Sequence, residues 1–332
     1  MPSPVDESTI GRTPLVELDV GVAPTVYAKV EWCNLHDQPH GGGSIKSRIV
    51  PRMLDRAERR GDLPGQTVVE ASSGNTASEL ARIGGARGYD VAVVVPADAA
   101  RGKRDAVRDA GGRIVTVPAG SDYAAKFDRL ADFRESTAAA TLWIDQYDNP
   151  ANPAAHREAT GPELWRQSAG TLTHFVAGAG SGGTVSGAGR ALHERGDVTV
   201  VGVEPAEAPH GIEGLRHFRG EAHAHRDVYD GAVLDARRYV DTETAWQAAR
   251  DLRERYVDRR IDVVDAGQYD RSLVREVLRV DDDFLVGPSS GAAVAAVRRL
   301  AGEGSLDADD VVGVLLCDRG DKYPESLWVD VV

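Results

Sequence analysis

Short apolar runs bounded by glycine alternate with amphipathic stretches along most of the chain. The pattern predicts a strand over 67–70, a helix over 76–88, a strand over 91–95, a helix over 100–110 and a strand over 114–117. Val91-Ala-Val-Val-Val95 is apolar on consecutive positions rather than alternate ones, as a parallel strand covered on both faces requires. A second series of the same rhythm runs from a strand over 173–177, through a glycine loop and a helix of small residues, to a strand over 198–203. Repeated βα units of this kind specify a doubly wound α/β sheet. Between the two series, Asp148-Asn-Pro-Ala-Asn-Pro153 ends regular structure and marks a boundary or a lobe-spanning loop. A chain of 332 residues exceeds what one hydrophobic core usually serves, so two α/β lobes with a cleft between them are expected.

Composition narrows the function classes. An apolar content of 42% with 27% charged residues is that of an ordinary globular protein, which argues against disorder. No stretch approaches the roughly 20 consecutive apolar residues of a membrane span. The start, Met1-Pro-Ser-Pro-Val-Asp6, has neither the basic nor the apolar region of a signal peptide, so a cytoplasmic protein is expected. Cys33 and Cys317 are too few for a disulfide scaffold and are read as reduced, unpaired thiols. A formal charge of −13 argues against nucleic acid and anionic membranes as partners. Lysine stands only at positions 29, 46, 103, 126 and 322, arginine supplying the remaining positive charge. Such acidity with so little lysine reads either as adaptation to a salt-rich cytoplasm or as a bias toward arginine codons.

Lys46 is the first of those lysines to consider, because it follows Gly41-Gly-Gly-Ser-Ile45. At the mouth of a glycine loop an amine offers what guanidinium does not: it can lose its proton and form a Schiff base. Val176-Ala-Gly-Ala-Gly-Ser-Gly-Gly-Thr184 runs from a predicted strand into a predicted helix, a turn whose N–H groups and helix dipole suit a phosphate. The same residues satisfy Gly-x-Gly-x-x-Gly at Gly178, Gly180 and Gly183, with Glu204 where a dinucleotide fold places its ribose-binding acid. A nicotinamide-dependent oxidoreductase is therefore the rival from another class, and a tight turn without a ligand is the third reading. Glu70-Ala-Ser-Ser-Gly-Asn-Thr76 sets hydroxyls and an amide at a helix start, suited to a carboxylate, although Ser72, Ser73 or Asn75 could equally cap that helix. Gly287-Pro-Ser-Ser-Gly291 again places hydroxyls at a helix start, and Asp318 and Asp321 read as turn caps. Thr160-Gly-Pro-Glu163 fits a capping box. His210, His217, His223 and His225 lack metal-ligand spacing and cysteine support, so no metal site is expected.

Taken in order, these segments resemble the pyridoxal-phosphate enzymes of the cysteine synthase (O-acetylserine sulfhydrylase) family, relatives of cystathionine β-synthase. The resemblance runs from Ile10-Gly-Arg-Thr-Pro-Leu-Val16 through Gly43-Ser-Ile-Lys46, Ser73-Gly-Asn-Thr76, Asn149-Pro-Ala-Asn-Pro153 and Thr160-Gly-Pro-Glu163. It continues through Gly180-Ser-Gly-Gly-Thr184, Val203-Glu-Pro205 and Ser289-Ser-Gly291 to Cys317-Asp-Arg-Gly-Asp321. It implies the tryptophan-synthase-β-like, fold type II architecture: a smaller lobe over 45–150, a larger one over 1–44 with 151–332, and pyridoxal 5'-phosphate in the cleft between them. It further implies that Lys46 holds the cofactor as an internal aldimine and Asn75 bonds its ring hydroxyl. Gly180, Ser181, Gly182, Gly183 and Thr184 would cradle the phosphate, and Ser289 would meet the pyridine nitrogen. Ser72, Ser73, Thr76 and Gln146 would hold the substrate's α-carboxylate.

The implied reaction is β-replacement on O-acetylserine or O-phosphoserine with sulfide to give L-cysteine through an aminoacrylate, by a homodimer without a fused ligand-sensing module. Amine or homocysteine nucleophiles are near alternatives, as is β-elimination; a dehydratase is disfavoured because Thr76 stands where that branch carries histidine. Three features depart from the family pattern: the link over 32–43 is longer, Ala77-Ser-Glu79 replaces glycine and apolar residues, and Ser47 replaces the usual aspartate, with Pro51 soon after in the next helix. Arg216 is read in two ways, as a contact for an anionic donor or as a surface arginine on a mobile loop.

Overall fold

The side chains of 91–95 point alternately into two apolar layers: Val91, Val93 and Val95 pack with Leu80 and Met53, while Ala92 and Val94 pack with Val69 and Leu130. Covering both faces is what makes consecutive apolar residues stable in a strand. The computed structural model describes residues 5–40, 42–62, 66–99, 101–121, 123–137, 140–218 and 227–329. In chain order its strands are β1 (Leu15–Glu17), β2 (Thr25–Val30), β3 (Thr67–Ala71), β4 (Asp90–Pro96), β5 (Arg113–Val117) and β6 (Thr141–Trp143). They continue with β7 (His174–Gly178), β8 (Thr199–Pro205), β9 (Ala236–Val240), β10 (Asp262–Asp265) and β11 (Val311–Leu316).

Two sheets result. One has the order β5-β4-β3-β6, parallel throughout. The other has the order β10-β1-β2-β11-β7-β8-β9, parallel from β2 to β9 and antiparallel at the β10-β1-β2 edge. Helices cover both faces of each, so the doubly wound α/β expectation holds twice. In the larger sheet Val312, Val314 and Leu316 face one core while Val311 and Leu315 face the other. Predicted element bounds shift by a residue or two: the helix expected over 76–88 runs Asn75–Ala86, and that expected over 100–110 runs Arg101–Asp109, position 100 lying outside the described residues. Among the described residues no helix is long and apolar enough to cross a membrane.

Beneath the larger sheet's mouth lies a buried charge cluster. Arg48 grips Glu31 with Nε at 2.5 Å and Nη2 at 2.9 Å, and Glu163 with Nη1 at 3.0 Å and Nη2 at 2.8 Å. Lys29 Nζ sits 3.0 Å from Glu163 and donates to Gln167 Oε1 at 2.7 Å and Thr13 O at 2.9 Å. Although burial works against the charge, Glu31 and Glu163 raise the Arg48 value; Glu163, also disfavoured by burial, is held low by Arg48 and Lys29.

This corrects the capping-box expectation for Thr160 and Glu163. Thr160 makes no cap hydrogen bond; its hydroxyl meets His156 Nδ1 at 2.9 Å inside a π-helical segment, His156–Thr160. Glu163 is structural, but as an ion-pair partner of Arg48. Pro51 falls in the first turn of the helix Ile49–Arg60, where the missing N–H has no intrahelical partner to lose, so that turn is intact. Replacing Arg48 with alanine would leave Glu31 buried without its fork of donors. It should lower stability by about 3–5 kcal/mol in denaturant unfolding; a loss below about 1 kcal/mol would contradict this reading of the cluster.

Candidate active site

Lys46 is carried on a short 3-10 turn, Ile45–Arg48, whose geometry is fixed from both sides. Ser44 Oγ accepts from the Lys46 N–H at 3.2 Å, the Ser44 N–H donates to Ser47 Oγ at 3.1 Å, and the Ile45 N–H donates to Cys317 O at the end of β11 at 2.9 Å. The lysine is partly buried at a cavity wall. Withdrawal from water pulls its amine below the ordinary value, an effect that Cys317 and Asp318 partly oppose. A neutral amine is the nucleophilic form.

The same cavity is lined by Asn75, Gly180, Ser181, Gly182, Thr184 and Ser289, together with Cys317 and Leu215. Gly180 to Thr184 carry β7 into the helix Gly183–His193, whose N-terminus has no side-chain cap. Gly182 sits at φ +90°, where a side chain would be strained, and a Cβ at Gly180 would lie 2.2 Å from Gly214 O. Gly183 stands just behind the wall, against Asn152. Asn152 Nδ2 donates to both Gln146 O, at 2.7 Å, and Ser181 Oγ, at 2.9 Å, tying the two sheets' loops together. Thr184 Oγ1 lies 3.1 Å from His156 Nε2. Burial first, then Lys46 and Arg48, push that imidazole well below its usual value, so it is neutral at pH 7. Cys317 is raised to about 12 chiefly by burial, with Asp318 adding, and is a protonated thiol rather than a nucleophile.

The second loop enters from the smaller sheet. The helix Asn75–Ala86 is capped by Gly74 without a side-chain bond, so Ser72, Ser73 and Asn75 are not its caps. Thr76 Oγ1 donates to Gln146 Oε1 at 2.8 Å, both buried; Ser72, Ser73, Thr76 and Gln146 do not line the cavity itself but surround the helix start beside it. Glu70, at the root of this loop, is raised to about 8 by burial first and by Asp145 second. Protonated at neutral pH, it adds no negative charge to the helix start. The helix after Gly287 likewise lacks a side-chain cap, Ser290 Oγ instead accepting from the Cys317 N–H at 3.0 Å.

Arg216 is 2% exposed, so it is not a surface arginine. Its guanidinium lies 5.1 Å from the Tyr147 ring centre and 5.9 Å from that of Phe218, and its backbone N–H donates to Ala179 O at 2.9 Å. It stands behind Leu215, toward the Gln146-Tyr147 turn. Asp318 is no simple turn cap: Oδ2 accepts from Asn75 Nδ2 at 2.7 Å and from the Tyr323 hydroxyl. Asp321 pairs with Arg319 at 2.8 Å. Glu204 accepts from Tyr229 OH at 2.8 Å. His217 Nδ1 donates to Pro205 O at 3.0 Å, while His223 and His225 lie outside the described residues.

Sequence reasoning missed Asn152, His156, Tyr323 and Lys322. The spacing of His156 and Thr160, four apart on one helix face, was the available signal for one of them.

Residues 7–318 match the family described as pyridoxal-phosphate dependent enzyme. A cysteine synthase of Aquifex aeolicus is 34% identical over 320 residues, covering 95% of this chain and 88% of that protein. Cysteine synthase B of Escherichia coli is 32% identical over 319 residues, covering 96% and 93% respectively. Among solved structures, that of an O-ureido-L-serine synthase superposes with a TM-score of 0.79 at 31% identity, covering 98% of this chain and 95% of that one. The cavity's residues fit such a cofactor. An uncapped helix N-terminus with a glycine cradle that any Cβ would fill could take the phosphate, and a lysine held below its usual value could take the aldehyde.

Because Glu70 is neutral only below about 8, affinity for an amino-acid carboxylate should fall as pH rises through that value. Glu70→Gln should remove this component of the fall. Identical pH profiles of amino-acid binding in the wild type and Glu70→Gln would contradict it.

Proposed function

Because the chain belongs to the pyridoxal-phosphate-dependent enzymes of the cysteine synthase family and uses pyridoxal 5'-phosphate for β-replacement chemistry, we propose that it exchanges the β-substituent of an O-activated serine for sulfide, giving L-cysteine. The observation that carries this proposal is the convergence of Lys46, Asn75, the Gly180–Thr184 cradle and Ser289 on one cavity. Gly180, Ser181, Gly182 and Thr184, backed by Gly183, would hold the phosphate, Asn75 the ring hydroxyl and Ser289 the ring nitrogen. A serine hydroxyl does not enforce a proton on that nitrogen as a carboxylate would.

When bound, the cofactor supplies the electron sink that acidifies the substrate's Cα–H and allows the β-substituent to leave. Ser72, Ser73, Thr76 and Gln146, with the start of the helix Asn75–Ala86, hold the α-carboxylate and so orient that C–H bond. Lys46 Nζ, whose hold on a proton burial weakens, takes the Cα proton and later returns it. Cys317, protonated beside it, offers no competing thiolate.

The donor is O-acetylserine or O-phosphoserine, and Arg216 favours the phosphorylated one. A buried guanidinium over the Tyr147 ring, next to Gln146, adds positive charge on the side of the carboxylate loop. The likeness to O-ureido-L-serine synthase favours a second reading, in which a nucleophile other than sulfide attacks the same donor. Arg216→Met, which keeps the packing but removes the charge, should lower kcat/KM for O-phosphoserine about tenfold relative to that for O-acetylserine. Equal effects on both donors would remove Arg216 from donor recognition. A wild type that consumes the donor with a nitrogen or oxygen nucleophile but not with sulfide would replace the cysteine assignment by the second reading.

A further inference from the structure

Two of the departures from the family pattern, the long link over 32–43 and Ala77-Ser-Glu79, meet in space and end on Asn75. Glu79 is fully buried and pairs with Arg82 at 3.4 Å, and Ser44 Oγ donates to it at 3.3 Å. Arg82 in turn donates to two carbonyls of the link, Gly42 O from Nη1 at 3.2 Å and Pro39 O from Nη2 at 3.1 Å. Gly42 O, held by Arg82, and its neighbour Gly43 O both face a further amine: Lys322 Nζ donates to Gly43 O at 2.8 Å and to Gly42 O at 3.3 Å. The same Nζ reaches Asn75 Oδ1 at 3.5 Å, while on the amide's other side Asn75 Nδ2 donates to Asp318 Oδ2 at 2.7 Å. An amide with an N–H donor on its oxygen and a carboxylate on its nitrogen has one orientation and no reason to flip. Its second Nδ2 hydrogen is left for whatever enters the cavity that Asn75 lines.

We infer that Lys322 and Asp318 are positioning residues that fix the Asn75 amide toward the cofactor, and that the long link serves this by holding Lys322 through the Gly42 and Gly43 carbonyls, the first of which Arg82, paired with Glu79, keeps in place. The inference rests on the proposed contact of Asn75 with the cofactor's ring hydroxyl. It joins the longer link and the buried acid at 79 in one arrangement, in which the link supplies oxygens and Glu79 balances the arginine that organises them.

Titrating the apoprotein with pyridoxal phosphate, following the visible band, tests this in wild type, Lys322→Met, Asn75→Ala and the double variant. Lys322→Met should weaken cofactor binding about fivefold, the worth of one modest hydrogen bond, and shift the band in the same direction as Asn75→Ala. In the Asn75→Ala background Lys322→Met should have no further effect, and Lys322→Arg should restore most of the loss. If Asn75→Ala weakens binding but Lys322→Met does not, or if the two effects add, Lys322 is not a positioning residue and the Asn75 assignment stands. If Asn75→Ala is itself silent, the assignment and the inference fall together. Should Lys322→Met not fold, Arg82→Met decides in its place: a smaller loss that vanishes in the Asn75→Ala background supports the inference, and a loss that persists there overturns it.

Discussion

The site depends on a balanced set of charges largely withdrawn from water. Arg48, with Lys29, faces Glu31 and Glu163 in the interior, and the oxygens of Glu31 are further bonded by Thr13 and Asn34 at 2.9 Å each. Burying such ions is expensive, and their mutual attraction offsets the expense only when geometry is good and the remaining hydrogen bonds are made. Here the guanidinium forks both carboxylates. Four segments distant in sequence must be in place for that fork to close: the loop at Thr13, the end of β2 with Glu31, the turn carrying Arg48, and the helix bearing Glu163. Since Lys46 precedes Arg48 by two residues, the amine proposed to react inherits its position from this requirement.

Around the cavity the titratable groups are tuned toward neutrality rather than charge. His156 is neutral, Cys317 keeps its proton, Glu70 is protonated below about 8, and Lys46 is held below its ordinary value. The positive field that remains comes from helix starts and from Arg216. Of the helices that start here without side-chain caps, those after Gly74 and after Gly182 leave their first N–H groups available to anions. One suits a phosphate and the other a carboxylate. Because both ends are backbone, neither changes its charge over the working pH range.

Much of this was legible in the chain, for physical reasons that can be named. Consecutive apolar residues at 91–95 and 311–316 specify strands buried on both faces, and glycines at 180 and 182 specify close backbone approach. The short strands β1 and β10, at one end of the larger sheet, were not legible, since three or four residues carry too little periodicity to distinguish from loop. Nor was the true role of Glu163, because local spacing suggested a cap while its partner Arg48 lies 115 residues away. Lysine usage held more than was taken from it: none of the five lysines is exposed, and Lys29 and Lys322 turn out to bind buried carbonyls and side-chain amides. In a chain that otherwise uses arginine, rarity marked positions where a compact ammonium or its amine is needed.

The chemistry proposed for the cavity turns on Lys46 being the amine that carries pyridoxal phosphate. Borohydride reduction of the purified holoprotein, followed by peptide mapping, reads out that linkage. The expected result is a phosphopyridoxyl group on the peptide containing Lys46 and on no other. A label on Lys322, the other amine beside Asn75, or a protein that binds the cofactor without any reducible linkage, would contradict it.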